Sequence, residues 1–139
     1  MKTIKNYNIT LFLIVFVAFA LFAFKPLVNY QEAWTVPTKY KTMVNPVVGD
    51  DDATELGSEL YAKHCKSCHG KTGLGDGTKA AELETDCGDF SLEEFHQQTD
   101  GELYYKLTFG RDDMPAFDKK LADEEERWSV VNYIRTMKE

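Results

Sequence analysis

The sequence has only three cysteines and four prolines in 139 residues, and it has fewer basic than acidic side chains. Three cysteines are too few for a disulfide scaffold, and an odd number leaves at least one of them unpaired within the chain. With 16 Lys and Arg against 23 Asp and Glu, the net charge is −7. This balance argues against a nucleic-acid partner, because neutralising phosphates requires a basic surface. The length allows one domain, besides a tail or an anchor.

The sequence also lacks alternating runs of β-branched residues, which are typical of strands, so we expect an all-α fold. Helical patterns begin at residue 52, and each opens with an acidic or hydroxyl residue three positions before a glutamate. The four predicted starts are Asp52 with Glu55, Ser91 with Glu94, Thr99 with Glu102, and Asp123 with Glu126. Gly110 is expected to end the third helix. The last helix is expected to bury a stripe comprising Trp128, Val131, Ile134 and Met137.

The long apolar run of the chain covers residues 9–24, with lysines on both sides of it. A basic start followed by a hydrophobic stretch is typical of a secretory signal or a signal anchor. The run extends over about 24 Å as a helix, and continuing it through Val28 brings it close to the roughly 30 Å of a bilayer core. We therefore expect residues 1–24 to form an N-terminal membrane anchor helix. Cleavage after Ala20, which would release a soluble periplasmic protein, and a buried core helix are the alternatives.

The next segment, residues 25–51, is predicted to be an extended tether rich in proline and aromatic residues. Pro37 and Pro46 disfavour helix. The consecutive aspartates Asp50, Asp51 and Asp52, at the boundary between this segment and the next, repel one another. Its aromatic residues (Tyr30, Trp34 and Tyr40) are explained by an interfacial position at the membrane, by a strap packed on the domain, or by a docking epitope. Residues 52–139 form the predicted globular domain.

The motif that indicates the chemistry is C-x-x-C-H, formed by Cys65, Cys68 and His69. Two thiols on one helical turn can add to the two vinyl groups of haem, and the imidazole then faces the iron. A zinc site would need a second ligand pair, whereas Cys87 and His96 lack paired spacing. A thioredoxin-type redox pair would need a preceding strand. The motif therefore predicts one covalently attached haem c, with Cys65 and Cys68 as thioethers and His69 as an axial iron ligand.

The second axial ligand is sought among the four methionines. Three of them lie before the apolar run, in the tether and in the last helical turn (Met1, Met43 and Met137). Met114 lies in a loop, so it is the predicted ligand, with His96 as a rival and an open iron as a third possibility. Ligation by histidine and methionine raises the reduction potential and closes the iron to substrates. That combination predicts electron transfer and no enzymatic activity.

Residues 52–139 resemble the class I monohaem cytochromes c in four features that occur in the family's order. A small and aromatic pair, Gly57 and Tyr61, precedes the C-x-x-C-H motif. The loop Gly110-Arg-Asp-Asp-Met114-Pro-Ala-Phe follows, and the segment from Trp128 resembles the last helix of the family. The resemblance implies three to five helices around one haem, with Tyr133 packed across Gly57 and Met114 as the distal ligand. Thr78 stands where relatives often carry proline, and Cys87 has no counterpart in the pattern.

A haem would also supply apolar surface to a domain of 83 residues between Gly57 and Glu139, a length at which an unaided core is marginal. We expect its environment to comprise Leu60, Leu74, Leu103, Leu107, Phe109 and Phe117. Arg111 is expected either near a haem propionate or as a solvated loop charge. Residues 62–80 hold four lysines and one aspartate (Lys63, Lys66, Lys71, Lys79 and Asp76) in an otherwise acidic domain. They predict either a basic docking surface at the haem edge or a merely solvated segment.

These observations predict a one-electron carrier of a respiratory chain. Its donor would be a quinol-oxidising complex or a dehydrogenase, and its acceptor a terminal oxidase or another reductase. The haem domain would be held on the periplasmic face of the cell membrane by a single-pass helix. A fixed haem subunit of a larger respiratory or dehydrogenase complex is the alternative, and a haem enzyme or gas sensor with an open iron position is a further one.

Overall fold

The computed structural model describes residues 32–138, so the predicted anchor and the first part of the predicted tether lie outside the described residues. Six α-helices and one 3₁₀ turn follow in chain order. They are α1 (Thr38–Lys41), α2 (Asp51–His64), α3 (Lys66–His69), the 3₁₀ turn Ala80–Glu82, α4 (Glu93–His96), α5 (Asp100–Phe109) and α6 (Glu124–Arg135). Between residues 32 and 138 there is no strand, and only an isolated bridge joins Arg111 to Met114. The predicted all-α class is confirmed over this range.

Residues 32–138 contain no helix with the length and apolar character needed to cross a membrane.

The helix starts follow the predicted capping patterns at two of four positions. Thr99 and Glu102 form a complete capping box at α5, and the Asp123 side chain accepts a hydrogen bond from the Glu125 amide at α6. Helix α2 begins earlier than expected, because Asp50 rather than Asp52 accepts from the Ala53 amide at 3.0 Å. The Ser91 hydroxyl binds the Asp89 carboxylate instead of capping α4, and α4 is accordingly only four residues long.

Helices α2 and α6 cross at Gly57, where the absence of a side chain brings the two backbones together. A Cβ atom at Gly57 would lie 1.9 Å from the Ser129 carbonyl oxygen and 3.0 Å from Tyr133 Cβ. The Tyr133 ring packs against the Tyr61 ring at 5.4 Å between centroids. The expected packing of Tyr133 across Gly57 is therefore present. Around this crossing lies a core that includes Leu103, Leu107, Leu121, Trp128, Val130, Val131 and Ile134.

Residues 32–48 pack on the domain as a strap, which was one of the explanations for their aromatic residues. Val36 and Asn45 are only 6% and 4% exposed. The Asn45 amide donates to Asn132 Oδ1 at 3.2 Å, and the Asn132 amide donates in turn to the Val47 carbonyl at 2.7 Å. A Cβ at Gly101 would lie 1.8 Å from the Tyr40 carbonyl oxygen. The strap, which includes the single turn α1, therefore contacts both α5 and α6.

Candidate haem-binding site

The C-x-x-C-H motif lies where α2 ends and the short helix α3 begins. Cys65 caps α3, and its carbonyl accepts the Cys68 and His69 amides at 3.1 and 3.0 Å. The Tyr61 hydroxyl donates to the Gly70 carbonyl at 2.8 Å, which fixes the end of the turn. Burial, with smaller contributions from neighbouring ionisable groups, raises the pKa of Tyr61, so the hydroxyl keeps the proton that it donates. One helical turn thus presents both thiols and the imidazole, as the motif predicts.

His69 is oriented by the backbone of Cys87. The ring Nδ1 lies 2.9 Å from the Cys87 carbonyl oxygen. Because a carbonyl can only accept, Nδ1 carries the proton and Nε2 keeps its lone pair for a metal. Burial lowers the pKa of His69, and the hydrogen bond to Cys87 partly opposes this shift. Sequence reasoning did not identify this carbonyl, because it belongs to a loop 18 residues away.

The glycine-rich loop after the motif packs closely over α3. The Gly77 amide donates to the Cys68 carbonyl at 3.1 Å, and the Lys79 amide donates to the Ser67 carbonyl at 2.8 Å. A Cβ at Gly77 would lie 2.4 Å from the Ser67 carbonyl oxygen. The loop therefore satisfies carbonyls at the end of α3, and only glycine fits at this position.

Met114 lies in a tight turn after α5. The amides of Arg111 and Met114 exchange hydrogen bonds with each other's carbonyls at 2.8 and 2.9 Å. The neighbouring Asp113 carboxylate accepts three hydrogen bonds of 2.8 to 3.0 Å, from the Glu84 amide and from the amide and hydroxyl of Thr85. This Asp113 clamp joins the Met114 turn to the loop that precedes α4.

Two cavities of about 210 and 280 Å³ meet at the motif and the methionine. Both are lined by Cys65, His69, Asp86, Cys87 and Met114. The first cavity, called the inner cavity, continues between apolar side chains that include Phe90, Phe95, Leu103, Leu107, Val131 and Ile134. The second, called the outer cavity, is also lined by His64, Cys68, Lys79, Pro115, Phe117 and Lys120. The structure thus brings together all four residues predicted to attach or ligate haem.

These residues fit the chemistry of a c-type haem. The inner cavity is mostly apolar, as a porphyrin requires, and its donors are an imidazole and a thioether, which are ligands of haem iron. Burial, together with the nearby Cys68, raises the pKa of Cys65 to about 12, which keeps this sulfur a neutral thiol. When bound, the haem supplies reversible one-electron chemistry at iron. The assignment of the four residues to the haem stays a prediction.

Other predicted neighbours lie elsewhere. His96 binds the Phe90 carbonyl through Nε2 at 2.7 Å and lines neither cavity. Leu74 and Phe109, expected beside the haem, are 44% and 46% exposed and line neither cavity. Phe109 instead packs against the Tyr40 ring of the strap at 5.6 Å between centroids. The helical pattern identified Phe109 as apolar but did not reveal that its ring packs against the strap.

The lysines of the basic segment, residues 62–80, do not all line the same cavity. Of its four lysines, Lys79 lines the outer cavity, whereas Lys71 lines a separate surface recess with Met137 and Lys138. Lys120, which lies far along the chain, joins Lys79 at the outer cavity. The two lysines at this cavity therefore come from distant segments, which sequence proximity could not indicate, and Asp86 and Asp113 line the same cavity.

The helical fold and the C-x-x-C-H site define the chain as a c-type cytochrome, an electron-transfer haem protein. A family model described as cytochrome c oxidase, cbb3-type, subunit III matches residues 52–134, which is more than half of the chain. The chain belongs to this family. Its cofactor is therefore covalently bound haem c with its iron, and the predicted resemblance to c-type cytochromes is confirmed.

One similar solved structure is a chain of the reducing HAO-like protein complex of Kuenenia stuttgartiensis, with 26% sequence identity and a TM-score of 0.61. The match covers 80% of this chain and 53% of that one, so the chain spans about half the length of its structural relative. A comparison with curated proteins gives no match.

Proposed function

We propose that the protein is a one-electron carrier whose haem is attached by Cys65 and Cys68 and ligated by His69 and Met114. The observation that carries this proposal is the convergence of all four residues on two adjoining cavities. The hydrogen bond that leaves His69 Nε2 free supports its role as a ligand. An iron with six ligands has no position for a substrate, so the protein would transfer electrons without catalysing a reaction of its own.

The test of this ligation is spectroscopic. The oxidised protein should show the near-infrared charge-transfer band of a sulfur–iron bond, and denaturation in acidified organic solvent should leave the haem on the polypeptide. Absence of the band would contradict Met114 as a ligand and favour an open iron. Extraction of intact haem would contradict the two thioether bonds.

We further propose that the haem domain lies on the periplasmic face of the cell membrane, held by residues 1–24. Support comes from the basic and apolar pattern of that segment. A quinol-oxidising complex or dehydrogenase would be the donor, and a terminal oxidase or reductase the acceptor. Fractionation tests the location, because an anchored protein requires detergent for release. Release of a shortened chain by osmotic shock alone would instead indicate cleavage of a signal peptide.

A fixed subunit of a larger complex is the second candidate function. Support comes from the family's description as an oxidase subunit and from the similar chain, which belongs to a complex. Purification in mild detergent distinguishes the two candidates. A stoichiometric set of co-purifying proteins favours a fixed subunit, whereas a single haem protein favours a carrier.

Docking is proposed to occur at the outer cavity, where Lys79 and Lys120 are exposed. Acidic groups of a partner would contact these two lysines, and Asp86 and Asp113 on the same cavity would face basic groups of the partner. Such charge pairs steer the encounter and are screened within about 8 Å at physiological salt. Charge reversal at Lys79 and Lys120 should slow electron transfer to the acceptor by about tenfold or more at low salt. Reversal at Lys71, in the separate recess, is the control. Equal effects at both places, or a rate that rises with salt, would contradict docking at the outer cavity.

A further inference from the structure

A half-buried lysine lies on the wall of the inner cavity without a carboxylate partner. Lys106 projects from α5 and lines this otherwise mostly apolar space. No carboxylate of residues 32–138 lies within 4.0 Å of its ammonium group, although four other basic residues of the domain and Lys41 of the strap form such pairs. Burial lowers the pKa of Lys106. A cation placed in such an environment is favoured when an anion joins it.

The position of the ammonium group is fixed by Gln98. The Gln98 amide nitrogen donates to the Phe95 carbonyl at 3.1 Å, which directs the amide oxygen to accept a hydrogen bond from Lys106 Nζ. Gln98 and Phe95 line the same cavity. Because an ammonium group has three donors, two of them stay free for another acceptor.

The strap completes this part of the cavity wall with Trp34. The Trp34 ring lies 5.6 Å from Lys106 Nζ and 4.5 Å from the guanidinium carbon of Arg111. Arg111 also donates to the Glu32 carbonyl at 2.8 Å, so it holds the strap in place. Two cations therefore face one aromatic ring, an arrangement that concentrates positive charge at this wall.

We propose that Lys106, supported by Gln98 and covered by Trp34, is the binding site for a propionate carboxylate of the haem. The inference rests on the proposed placement of the haem between His69 and Met114. A haem has two carboxylates that need partners. Apart from the imidazole of His69, Lys106 is the basic side chain that lines the inner cavity. Arg111 acts from outside as a positioning residue for Trp34. This assignment differs from both sequence expectations for Arg111, which were direct contact with a propionate and a solvated charge.

Other charged groups around Lys106 are few. Glu102 lies one turn earlier on α5 and favours the charged lysine, whereas Arg111 disfavours it. Asp86 and His69 are the other titratable side chains, besides the cysteines and Tyr61, on the wall of the inner cavity. In the wild type, a propionate paired with Lys106 is expected to stay ionised between pH 5 and 8, so the reduction potential should be nearly constant over this range.

The test uses the holoprotein with Lys106→Gln, and with Lys71→Gln as a control that removes the same charge away from both cavities. In Lys106→Gln the propionate should take up a proton within this pH range. Its ionisation as the pH rises favours ferric iron, so the oxidised-to-reduced ratio at fixed ambient potential should rise about three- to tenfold. The resonance Raman band of propionate bending should also shift. Lys106→Arg should restore the constant potential, and Lys71→Gln should resemble the wild type in both measurements.

A constant potential and an unchanged propionate band in Lys106→Gln would overturn the proposal. If Lys106→Gln does not accumulate with haem, Lys106→Arg provides the test. Replacing the ammonium group by guanidinium at a direct contact must shift the Raman band of propionate bending. An unchanged band in Lys106→Arg then overturns the proposal. A wild type without covalent haem or without the sulfur–iron band would contradict the placement of the haem itself, which separates that failure from failure of the Lys106 site.

Discussion

The two sides of the haem site are built in different ways. The side with His69 comes from five consecutive residues, Cys65 to His69, on one helical turn whose internal hydrogen bonds are local. The side with Met114 depends on partners far along the chain, because Asp113 binds Glu84 and Thr85. A local motif can hold its side chains together before the rest of the domain packs, whereas the methionine reaches the cavity only in the folded protein.

This difference predicts how each side responds to mutation. Changes in the motif should affect attachment of the haem, which is irreversible. Changes around Met114 should affect an equilibrium between a closed and an open position of its turn, since loops with few buried contacts open at low cost in free energy.

The largest effect is expected from removing the thiols. The double variant Cys65→Ala with Cys68→Ala should accumulate at least about tenfold less holoprotein, because no thioether bond holds the cofactor and the fold depends on binding it. Haem staining after denaturing electrophoresis measures the attached fraction. Cys87→Ala is the control and should keep its haem. Covalent haem in the double variant would contradict the motif's role.

Substitution of Met114 should separate ligation from attachment. Met114→Ala should keep covalent haem, lose the sulfur–iron band and bind added imidazole or cyanide. Met114→His should lower the reduction potential by on the order of 0.1 V or more, within the wide range set by axial ligands. Met43→Ala in the strap is the control. An unchanged band in Met114→Ala would place the second ligand elsewhere.

A bulkier residue at Gly77 should disturb the motif side through its covering loop. In Gly77→Ala the added Cβ would lie 2.4 Å from the Ser67 carbonyl oxygen and 2.5 Å from that of Cys68. Such overpacking against backbone should cost about 2–4 kcal/mol in the free energy of unfolding. Gly49→Ala is the control, because Gly49 has a φ of +77° but no atom near its Cβ position. Left-handed backbone without a clash should cost this alanine only about 1 kcal/mol. Equal losses of unfolding free energy in Gly77→Ala and Gly49→Ala would show that the close backbone contact at Gly77 does not cause the destabilisation.

Removing the Asp113 clamp should have a smaller effect, on the side of the site with Met114. Asp113→Ala removes the acceptor of three hydrogen bonds, so the open population of the Met114 turn should rise about three- to tenfold. The rate of imidazole binding at the iron measures this population. Asp118→Ala is the control, because Asp118 is an exposed aspartate that follows the Met114 turn. Covalent attachment should be normal in both variants. Unchanged imidazole binding in Asp113→Ala would mean that the clamp does not restrain Met114.

The smallest effect concerns α5, which carries Leu103 and Leu107 of the inner cavity. The hydrogen bond from the Thr99 amide, opposed by burial and aided by Lys41, lowers the pKa of Glu102. The stabilisation that ionised Glu102 gives to the folded protein is therefore fully present above the pKa of an unfolded glutamate. It is lost as the pH falls through the lower pKa that Glu102 has in the folded protein. Glu102→Gln should cost about 0.5 kcal/mol at pH 7. Denaturant unfolding should show this difference shrinking between pH 5 and pH 3, and a constant difference would contradict the assignment.

The sequence by itself determined the chemistry of one side of the site. C-x-x-C-H needs only the spacing of one helical turn, so Cys65, Cys68 and His69 were recognisable without a fold. The small contact position at Gly57 and the capping box of Thr99 and Glu102 were equally readable, since they depend on local geometry or on one helix crossing. Met114 was found because few methionines lie in loops, rather than from any local geometry.

Only the tertiary structure decided which distant groups complete the site. Four features of the site join segments that are separated by many residues. They are the Cys87 carbonyl bound to His69, the Asp113 clamp, the two lysines that line the outer cavity, and the contact of Arg111 with Trp34. None of these residues belongs to a spacing that a helix or a motif imposes. Backbone carbonyls and long polar side chains carry no periodic signal, so their partners are set by the packing of strap, loops and helices around the cavities.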